Sequence, residues 1–366
     1  MSRRIRLVAA LARPAVMVLL AMFAATGLAA AGRGQDTAAL ARVLITVSGF
    51  LLFSVACNDL ADEAIDRVNL PGRRPLTDGT GTRREMAVAG GTGAVLALAA
   101  STTLPWPAIV VTVAGLAVSA GYSLRPVRLT DRGAVASLVL PACYVAVPYL
   151  TGVFAAGAGL TPRELLLLAG LYLGFTGRIV LKDFRDVRGD ALLGKRTFLV
   201  RHGRGWTCAI SAGCWTAGTA VMLAAAPGPA TGLAVAESAC LLLVLALLAD
   251  LSRSRSARRD EFRISALAIA GRGMILLLLA HLSMTGAGWP APAGTGYGVL
   301  YPVVLVLLTV LTIGMAASMA AYGPAGRLTV PGWEPAGHVA ASAAPALAPP
   351  SGQPVSAGCG QPASLG

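Results

Sequence analysis

Residues 38–67 read AALARVLITVSGFLLFSVACNDLADEAIDR, a stretch in which an apolar run passes directly into a cluster of acids. The run approaches the roughly 20 residues that a membrane-spanning helix needs. Its end carries Asn58 and three aspartates, Asp59, Asp62 and Asp66, at positions i, i+3 and i+7. That spacing puts the carboxylates on one face of a helix. The stretch therefore predicts a membrane helix that ends in a row of acids.

A second acidic cluster, Asp183, Asp186 and Asp190, repeats this spacing at the end of another apolar run. The two clusters hold six of the 17 acidic residues in the chain. One such row at a helix end is usually solvated surface, but two rows at equivalent helix ends indicate a shared site and a weak internal repeat. Mg²⁺ is typically bound by a few carboxylates plus substrate phosphates. Since packed like charges repel, we expect a cation between the rows.

Composition places the chain among membrane proteins. Its 366 residues are 55% hydrophobic and 13% charged, with a mean hydropathy of +0.70, whereas soluble domains carry about 25% charged residues. The apolar runs predict an all-α, polytopic membrane helix bundle of nine or ten transmembrane helices. The predicted spans lie near 14–31, 38–57, 86–103, 107–124, 133–154, 164–181, 206–226, 231–250, 264–285 and 298–320.

The net charge of +13 invites a nucleic-acid interpretation, but the distribution of basic residues argues against one. If the N-terminus is cytoplasmic, most of the 30 Lys and Arg residues fall at cytoplasmic helix ends, and the opposite loops hold only Arg33, Arg42 and Arg163. This is the positive-inside bias. We expect a multi-pass protein of the plasma membrane, no nucleic-acid partner, and both acidic clusters at the cytoplasmic face.

The N-terminal residues 1–31 have the basic start and apolar run of a signal peptide. Arg13 and Pro14 interrupt that run, however, and further helices follow at once. We therefore expect a retained first helix.

The two acidic rows resemble motifs of a known family, the UbiA superfamily of intramembrane prenyltransferases. Asn58–Asp66 is similar to its NDxxDxxxD motif, and Asp183–Asp190 to its second aspartate motif. Further similar segments are Arg13-Pro14, Arg74-Pro75-Leu76, the Tyr122-Ser123 loop that continues to Arg128, and Gly194-Lys195-Arg196-Thr197 with Gly203. Many relatives place a Lys in the Tyr-Ser loop, so the sequence leaves open whether Arg125 or Arg128 reaches the phosphates.

The resemblance spans roughly residues 10–290 and implies nine helices around a central cavity, with Mg²⁺ and an isoprenyl diphosphate bound at the cytoplasmic end. It predicts a prenyltransferase-like membrane domain over 1–290. An additional C-terminal transmembrane helix over 291–322 and a disordered Pro/Ala/Gly-rich tail over 323–366 are expected to follow.

The resemblance also implies the roles of the site residues. The expected catalytic residues are Asp59, Asp62, Asp183 and Asp186. The expected metal ligands are Asn58, Asp59, Asp62, Asp66, Asp183, Asp186 and Asp190. The expected substrate-binding residues are Asn58, Arg74, Tyr122, Arg128, Arg178 and Lys182. For each cation, contact with lipid headgroups is the alternative.

Aromatic side chains on the predicted helices have two alternative interpretations. They line the cavity and stabilise a carbocation through their ring faces, or they pack in the core. The residues in question are Tyr122, Tyr144, Tyr149, Tyr172 and Phe175.

The expected partners are a prenyl diphosphate, a small acceptor and the lipid bilayer. The favoured function is Mg²⁺-dependent transfer of an isoprenyl group to a small, aromatic acceptor. The alternative is a membrane terpene cyclase that ionises the same donor and closes the cation on itself. A transporter or assembly factor with a divalent-metal site is a third class, which leaves the twin acidic rows without a purpose. Donor length, acceptor and oligomeric state stay open.

Overall fold

The computed structural model describes residues 3–69, 74–157, 159–184, 197–254 and 256–286. Over these residues the chain is helical, as predicted. The helices are α1 Arg3–Ala12, α2 Pro14–Ala30, α3 Thr37–Ala61, α4 Glu63–Asn69, α5 Arg83–Ser101, α6 Trp106–Ser123, α7 Ala134–Pro141, α8 Val147–Ala155, α9 Pro162–Ile179, α10 Phe198–Ala225, α11 Thr231–Arg253 and α12 Ala257–Gly286.

Eight helical stretches within the described residues are long and apolar enough to cross a bilayer. They are Ala10–Ala30, Thr37–Ala61, Trp106–Ser123, Val135–Ala155, Pro162–Lys182, Phe198–Ala225, Thr231–Arg253 and Arg259–Thr285. The predicted span 86–103 is the 19-residue helix α5, whose several glycines and charged first turn lower its hydropathy. The predicted span 298–320, the proposed C-terminal helix and the tail lie outside the described residues.

Local sequence explains where several helices begin. Thr82 and Glu85 form a capping box at the start of α5, and Thr161 and Glu164 form another at the start of α9. In each box the hydroxyl accepts a bond from the backbone N–H of the glutamate while the carboxylate reaches back to the cap. Both of these helices therefore start at defined positions.

Helix α3 carries the first acidic row, and helix α9 leads into the second. Helix α3 packs mainly along α5, and α9 packs mainly along α10. Glycines make both crossings close. A Cβ added at Gly49 would lie 2.7 Å from the carbonyl oxygen of Gly93, and one at Gly170 would lie 2.8 Å from that of Gly218. Small residues let membrane helices approach in this way. The repeated crossing supports the internal repeat inferred from the two acidic rows.

The first helix of the bundle is held by a third close crossing. Helix α2 packs on α8, and a Cβ at Gly27 would lie only 2.0 Å from the carbonyl oxygen of Tyr149. Helix α2 also contacts α12. Helix α2 is thus an integral part of the core, in which Phe23, Phe50 and Tyr149 are almost completely buried.

Candidate active site

The first acidic row survives a break in the helix that carries it. Helix α3 ends at Ala61 and α4 begins at Glu63, so Asp62 stands at the junction. The amide of Asp62 still donates to the Asn58 carbonyl at 2.9 Å, and the amide of Asp66 donates to the Asp62 carbonyl at 2.8 Å. Because this helical bonding continues through the junction, the predicted spacing of the acids is preserved.

Arginines from three separate segments bind the carboxylates of this row. The guanidinium of Arg13 donates to Asp59 at 2.5 Å, and that of Arg128 donates to Asp62 at 3.0 Å. Arg74 lies 3.5 Å from both Asp59 and Asp66. The sequence led us to expect a cation between the acids. The structure shows in addition internal counter-ions, which reduce the repulsion among the carboxylates.

Two of these arginines have a strained backbone. Arg13 has φ 38° and Arg128 has φ 37°, and they are the two non-glycine residues with positive φ in the described chain. Such conformations cost on the order of 1–3 kcal/mol and tend to gather at functional sites. Arg128 also donates to the carbonyl of Ala61 at 3.0 Å, whereas Arg125 is exposed. Arg128, and not Arg125, is therefore the arginine of this loop that reaches the acidic row.

The surroundings of Asp66 alter its protonation. Its side chain is buried, and burial raises the pKa of Asp66 to about 6, with Asp59 and Asp62 acting in the same direction. The positive charge of Arg74 opposes this rise. A group with this pKa gains or loses its proton close to neutral pH.

The second acidic row is described only at its beginning. Helix α9 ends at Ile179, and a 3₁₀ turn, Val180–Lys182, leads to Asp183. Asp183 is buried. Asp186 and Asp190 lie outside the described residues. Lys182 donates from Nζ to the Tyr122 hydroxyl at 3.1 Å, so the turn is joined to the end of helix α6.

Phe184, the residue after Asp183, is held in place by its burial and by a contact with Arg204. Phe184 is 3% exposed, and the guanidinium carbon of Arg204 lies 4.9 Å from its ring centroid. Arg204 in turn donates to Asp260 at 2.8 Å and to the Leu251 carbonyl at 2.7 Å. Gly203, at φ 77°, kinks the start of α10 next to Arg204. These contacts fix the backbone that carries Asp183.

A cavity of about 210 Å³ lies among these residues, and we call it cavity A. Its polar end is lined by Arg13, Asn58, Asp62, Asp66, Arg74, Tyr122 and Lys182. Its inner end is lined by Leu20, Phe50, Leu140, Cys143 and Tyr144. Charged groups thus meet at one end of a space whose other end is apolar and aromatic.

Several predicted site residues do not line cavity A. Asp59 is 2% exposed and bonds Arg13 of the cavity lining, and Asp183 is buried next in sequence to the lining residue Lys182. Arg128 does not line the cavity either, although it bonds the lining residue Asp62. Arg178 lines a second, smaller space, where its guanidinium lies 5.5 Å from the centroid of the Phe175 ring. The structure therefore separates Arg178 from the other predicted substrate-binding residues.

Some of the aromatic residues named from the sequence line cavity A, and the others pack elsewhere in the bundle. Tyr122 and Tyr144 line cavity A. Tyr149 is fully buried and donates to the carbonyl of Glu164 at 3.1 Å, while Tyr172 donates to the carbonyl of Leu138. Phe175 stacks on Tyr144, with ring centroids 5.5 Å apart.

The donor chemistry of the site fits Mg²⁺, although the described residues do not form a complete metal cage. No three His, Cys, Asp or Glu side chains converge on one point within the described ranges. Asn58 and Asp62 are bonded at 2.7 Å and, with Asp66, offer oxygen atoms to cavity A. Because Mg²⁺ is often held by one or two carboxylates plus substrate phosphates, such a partial set suffices once a diphosphate is present.

Arg13 is the site residue that the role assignments from sequence omitted. Its signal in the sequence was an arginine directly before Pro14 at the start of an apolar run. A charge in that place is also what lipid headgroups attract, so only its contact with Asp59, 46 residues away, reveals its place in the site.

Comparison with known proteins identifies the family of the chain. The model of the UbiA prenyltransferase family matches residues 18–270. The chain belongs to this family. Its match to the bacteriochlorophyll synthase 34 kDa chain of Chloroflexus aurantiacus is 29% identical over 155 residues, covering 41% of this chain and 48% of that protein. The chain thus spans about half the length of the curated relatives it matches.

Solved structures show the same fold. The UbiA homologue from Aeropyrum pernix K1, in its apo form, has a TM-score of 0.58 at 19% identity, covering 74% of this chain and 97% of that one. The homologue from Archaeoglobus fulgidus bound to DMAPP and Mg²⁺ has a TM-score of 0.52 at 15% identity, covering 75% and 98%. This confirms the predicted all-α membrane bundle.

Proposed function

We propose that this UbiA-family protein is a Mg²⁺-dependent prenyltransferase, which transfers an isoprenyl group from a prenyl diphosphate to a small aromatic acceptor within the membrane. The observation that carries the proposal is the polarity of cavity A. A prenyl diphosphate is an anionic head on an apolar tail, and cavity A offers basic groups at one end and apolar walls at the other.

The basic residues at the polar end of cavity A, together with Arg128 beside it, would bind the diphosphate. Arg13, Arg74 and Arg128 present planar guanidinium groups that match phosphate oxygens in pairs, and Lys182 adds a compact charge. Arg13 and Arg74 already line the cavity. When the diphosphate enters, its negative charge replaces that of the carboxylates as the partner of these arginines. The carboxylates would then be available to hold Mg²⁺.

Asn58, Asp59, Asp62 and Asp66 of the first row, with Asp183, Asp186 and Asp190 of the second, would hold the metal. Bound Mg²⁺ would neutralise the charge that builds on the diphosphate as it leaves. The bond between C1 of the isoprenyl group and the diphosphate oxygen breaks, and its electron pair leaves with the diphosphate. The ring of Tyr144, at the inner end of the cavity, would face the cation that remains.

The acceptor would then supply an electron pair to C1 and lose a proton to complete the transfer. The cyclase alternative needs the same ionisation but no acceptor, so the two are separated by leaving the acceptor out.

The deciding experiment is an acceptor-omission assay on the protein in membranes. Labelled geranyl, farnesyl and geranylgeranyl diphosphates are supplied with and without Mg²⁺ and phenolic acceptors. Prenylated product that requires acceptor and Mg²⁺ supports the proposal. Hydrocarbon formed without acceptor would replace it with cyclisation, and absence of diphosphate release from every mixture would refute both.

Matched variants tie any activity to the site. Asp59→Asn and Asp183→Asn should lower turnover by at least about 100-fold, since even residues behind metal ligands contribute 10–100-fold. Asp78→Asn is the control, because Asp78 is exposed on the loop before α5. Near-normal rates in either site variant would refute the assigned metal ligands.

We also propose that the site faces the cytoplasm in the plasma membrane. The support is the concentration of arginine at the helix ends near the acidic rows. Single cysteines placed at Asp78 and Thr102, in a background without native cysteines, should react with an impermeant maleimide from opposite sides. Labelling of position 78 from outside intact cells would reverse the orientation.

A further inference from the structure

Two aromatic rings divide the interior of the bundle into two cavities. Tyr144 lines cavity A and does not line the second cavity, which we call cavity B, of about 40 Å³. Phe175 lines cavity B and does not line cavity A. The two rings stack with centroids 5.5 Å apart and an interplanar angle of 22°. The Tyr144–Phe175 pair is therefore a partition, with one ring facing each cavity.

The partition is held rigidly from both sides. Phe23, buried in helix α2, meets Phe175 edge-on with centroids 5.9 Å apart and an interplanar angle of 89°. Tyr144 lies in a π-helical turn, Ala142–Ala146, that follows Pro141. Turns of this kind are frequent at functional sites. The Tyr172 hydroxyl donates to the carbonyl of Leu138, just before the turn.

Cavity A is short on the near side of the partition. Asn58 and Phe50 both line it, and eight residues of one helix separate them, which corresponds to about 12 Å. An extended geranylgeranyl tail is longer than this. Cavity B, behind the partition, has apolar walls that include Leu19, Trp215 and Met222. Together with the space of a removed ring, it would add room for a longer tail.

We propose that the Tyr144–Phe175 partition sets the upper limit on the length of the isoprenoid tail that this enzyme accepts. The proposal rests on the proposed function, because it assumes that the tail enters cavity A behind its diphosphate. Wild-type protein should therefore favour geranyl over geranylgeranyl diphosphate. Removing either ring leaves the other without its stacking partner and with room to rotate aside, which should join the cavities and shift the preference to the longer donor.

The test compares kcat/KM for geranyl, farnesyl and geranylgeranyl diphosphates in wild-type protein and in Phe175→Ala. The ratio of the geranylgeranyl to the geranyl value should rise by about tenfold or more, because each isoprene unit buries several carbon atoms. Tyr144→Ala, which removes the other ring of the pair, should shift the ratio in the same direction. A ratio within about twofold of wild type in both variants would overturn the proposal.

A refilling variant separates the partition from general loosening of the core. Gly174 lines cavity B, and a Cβ there would approach only Trp215, at 4.0 Å, so a larger side chain fits. Gly174→Val added to Phe175→Ala should restore the wild-type ratio, and Gly174→Val alone should leave it unchanged. Phe154→Ala is the packing control, since Phe154 packs on the core but lines neither cavity.

Binding measurements keep the test independent of turnover. Dissociation constants of the corresponding thiolodiphosphates, which do not ionise readily, should show the same shift in chain-length preference. If wild-type protein releases no diphosphate from any donor, the proposed function is wrong, yet the binding series still reports on the partition. A dissociation constant that varies with chain length identically in wild type and Phe175→Ala would refute the partition alone.

Discussion

Arg13 donates a hydrogen bond to Asp59 at 2.5 Å, which ties the start of helix α2 to the end of helix α3. Asp59 is 2% exposed, and Arg13 lines cavity A. The same guanidinium can therefore serve as counter-ion of the acidic row in the empty site and as ligand of the diphosphate in the occupied one. The contact predicts that the metal-free and substrate-bound states depend on Arg13 in different ways.

Replacing Arg13 with Ala should destabilise the metal-free protein by about 3–5 kcal/mol, because it leaves the buried Asp59 carboxylate without its nearest partner. The Arg13→Gln/Asp59→Asn double variant should recover much of this loss, since the unpaired charge is gone. Thermal unfolding in detergent without Mg²⁺ measures both. Arg67→Ala, which removes an exposed pair with Glu63, should cost only about 0–1 kcal/mol. Equal losses at Arg13 and Arg67 would contradict the buried pairing.

Mg²⁺ affinity should depend on pH through Asp66. Its pKa is raised to about 6 by burial, and a carboxyl group must lose its proton before it binds a metal. Affinity should therefore fall as pH drops below 6 and level off above it. Isothermal titration between pH 5 and pH 8 measures this, and Asp66→Asn should flatten the profile. An unchanged pH profile in Asp66→Asn would assign the titration to another group.

The same pKa shift has a consequence for stability without metal. Between the ordinary value of 3.8 and about 6, the folded protein holds a proton on Asp66 that the unfolded chain has lost. Stability of the metal-free protein should accordingly decrease as pH rises through that window. Asp66→Asn should remove this decrease in unfolding measurements.

The bond between Lys182 and Tyr122 should orient the lysine for the diphosphate. Tyr122→Phe removes the hydroxyl that accepts from Nζ at 3.1 Å. A lost hydrogen bond to a charged group is worth about 1.5–3 kcal/mol. We expect the KM for the donor to rise roughly tenfold while kcat changes less. Tyr149→Phe is the control, because its hydroxyl bonds within the core. A loss confined to kcat would contradict a binding role.

The contacts of Arg204 with Phe184 and Asp260 should increase the affinity of the site for Mg²⁺. Arg204→Gln removes the guanidinium stacked over Phe184 and its bond to Asp260. Loss of a group that supports metal ligands usually lowers metal affinity by about 10–100-fold. Arg204→Lys should recover little, because an ammonium does not form the same planar stack. Wild-type Mg²⁺ affinity in Arg204→Gln would show that these contacts of Arg204 contribute to folding alone.

The close crossing of α3 and α5 should be sensitive to a single methyl group. Gly49→Ala would place a Cβ 2.6 Å from the backbone nitrogen of Ala97, and such overpacking costs about 1–3 kcal/mol. Gly91→Ala is a matched control on α5, because nothing lies within 4 Å of its added Cβ. It should be neutral or stabilising by up to about 1 kcal/mol. Equal effects of the two substitutions on the unfolding temperature would contradict the observed packing.

The sequence by itself determined the membrane class, the helical architecture and the first acidic row. These follow from local properties: apolar runs fix which segments leave water, and the i, i+3, i+7 spacing fixes which carboxylates share a helix face. Both survive any arrangement of the helices. Asn58, Asp62 and Asp66 therefore line one cavity even though the helix breaks at Asp62, and their roles as metal ligands stay predictions.

Only the tertiary structure decided which basic side chains pair with those acids and where the Tyr144–Phe175 partition divides the interior. Arg13 and Asp59 are 46 residues apart, and Lys182 and Tyr122 are 60 apart. Arg178 precedes Lys182 by one helical turn yet faces cavity B across Phe175. Such contacts depend on how whole helices cross, and the crossings depend on backbone approach at glycines such as Gly49 and Gly170. No local pattern of residues encodes these distances, because they arise from the packing of all the helices at once.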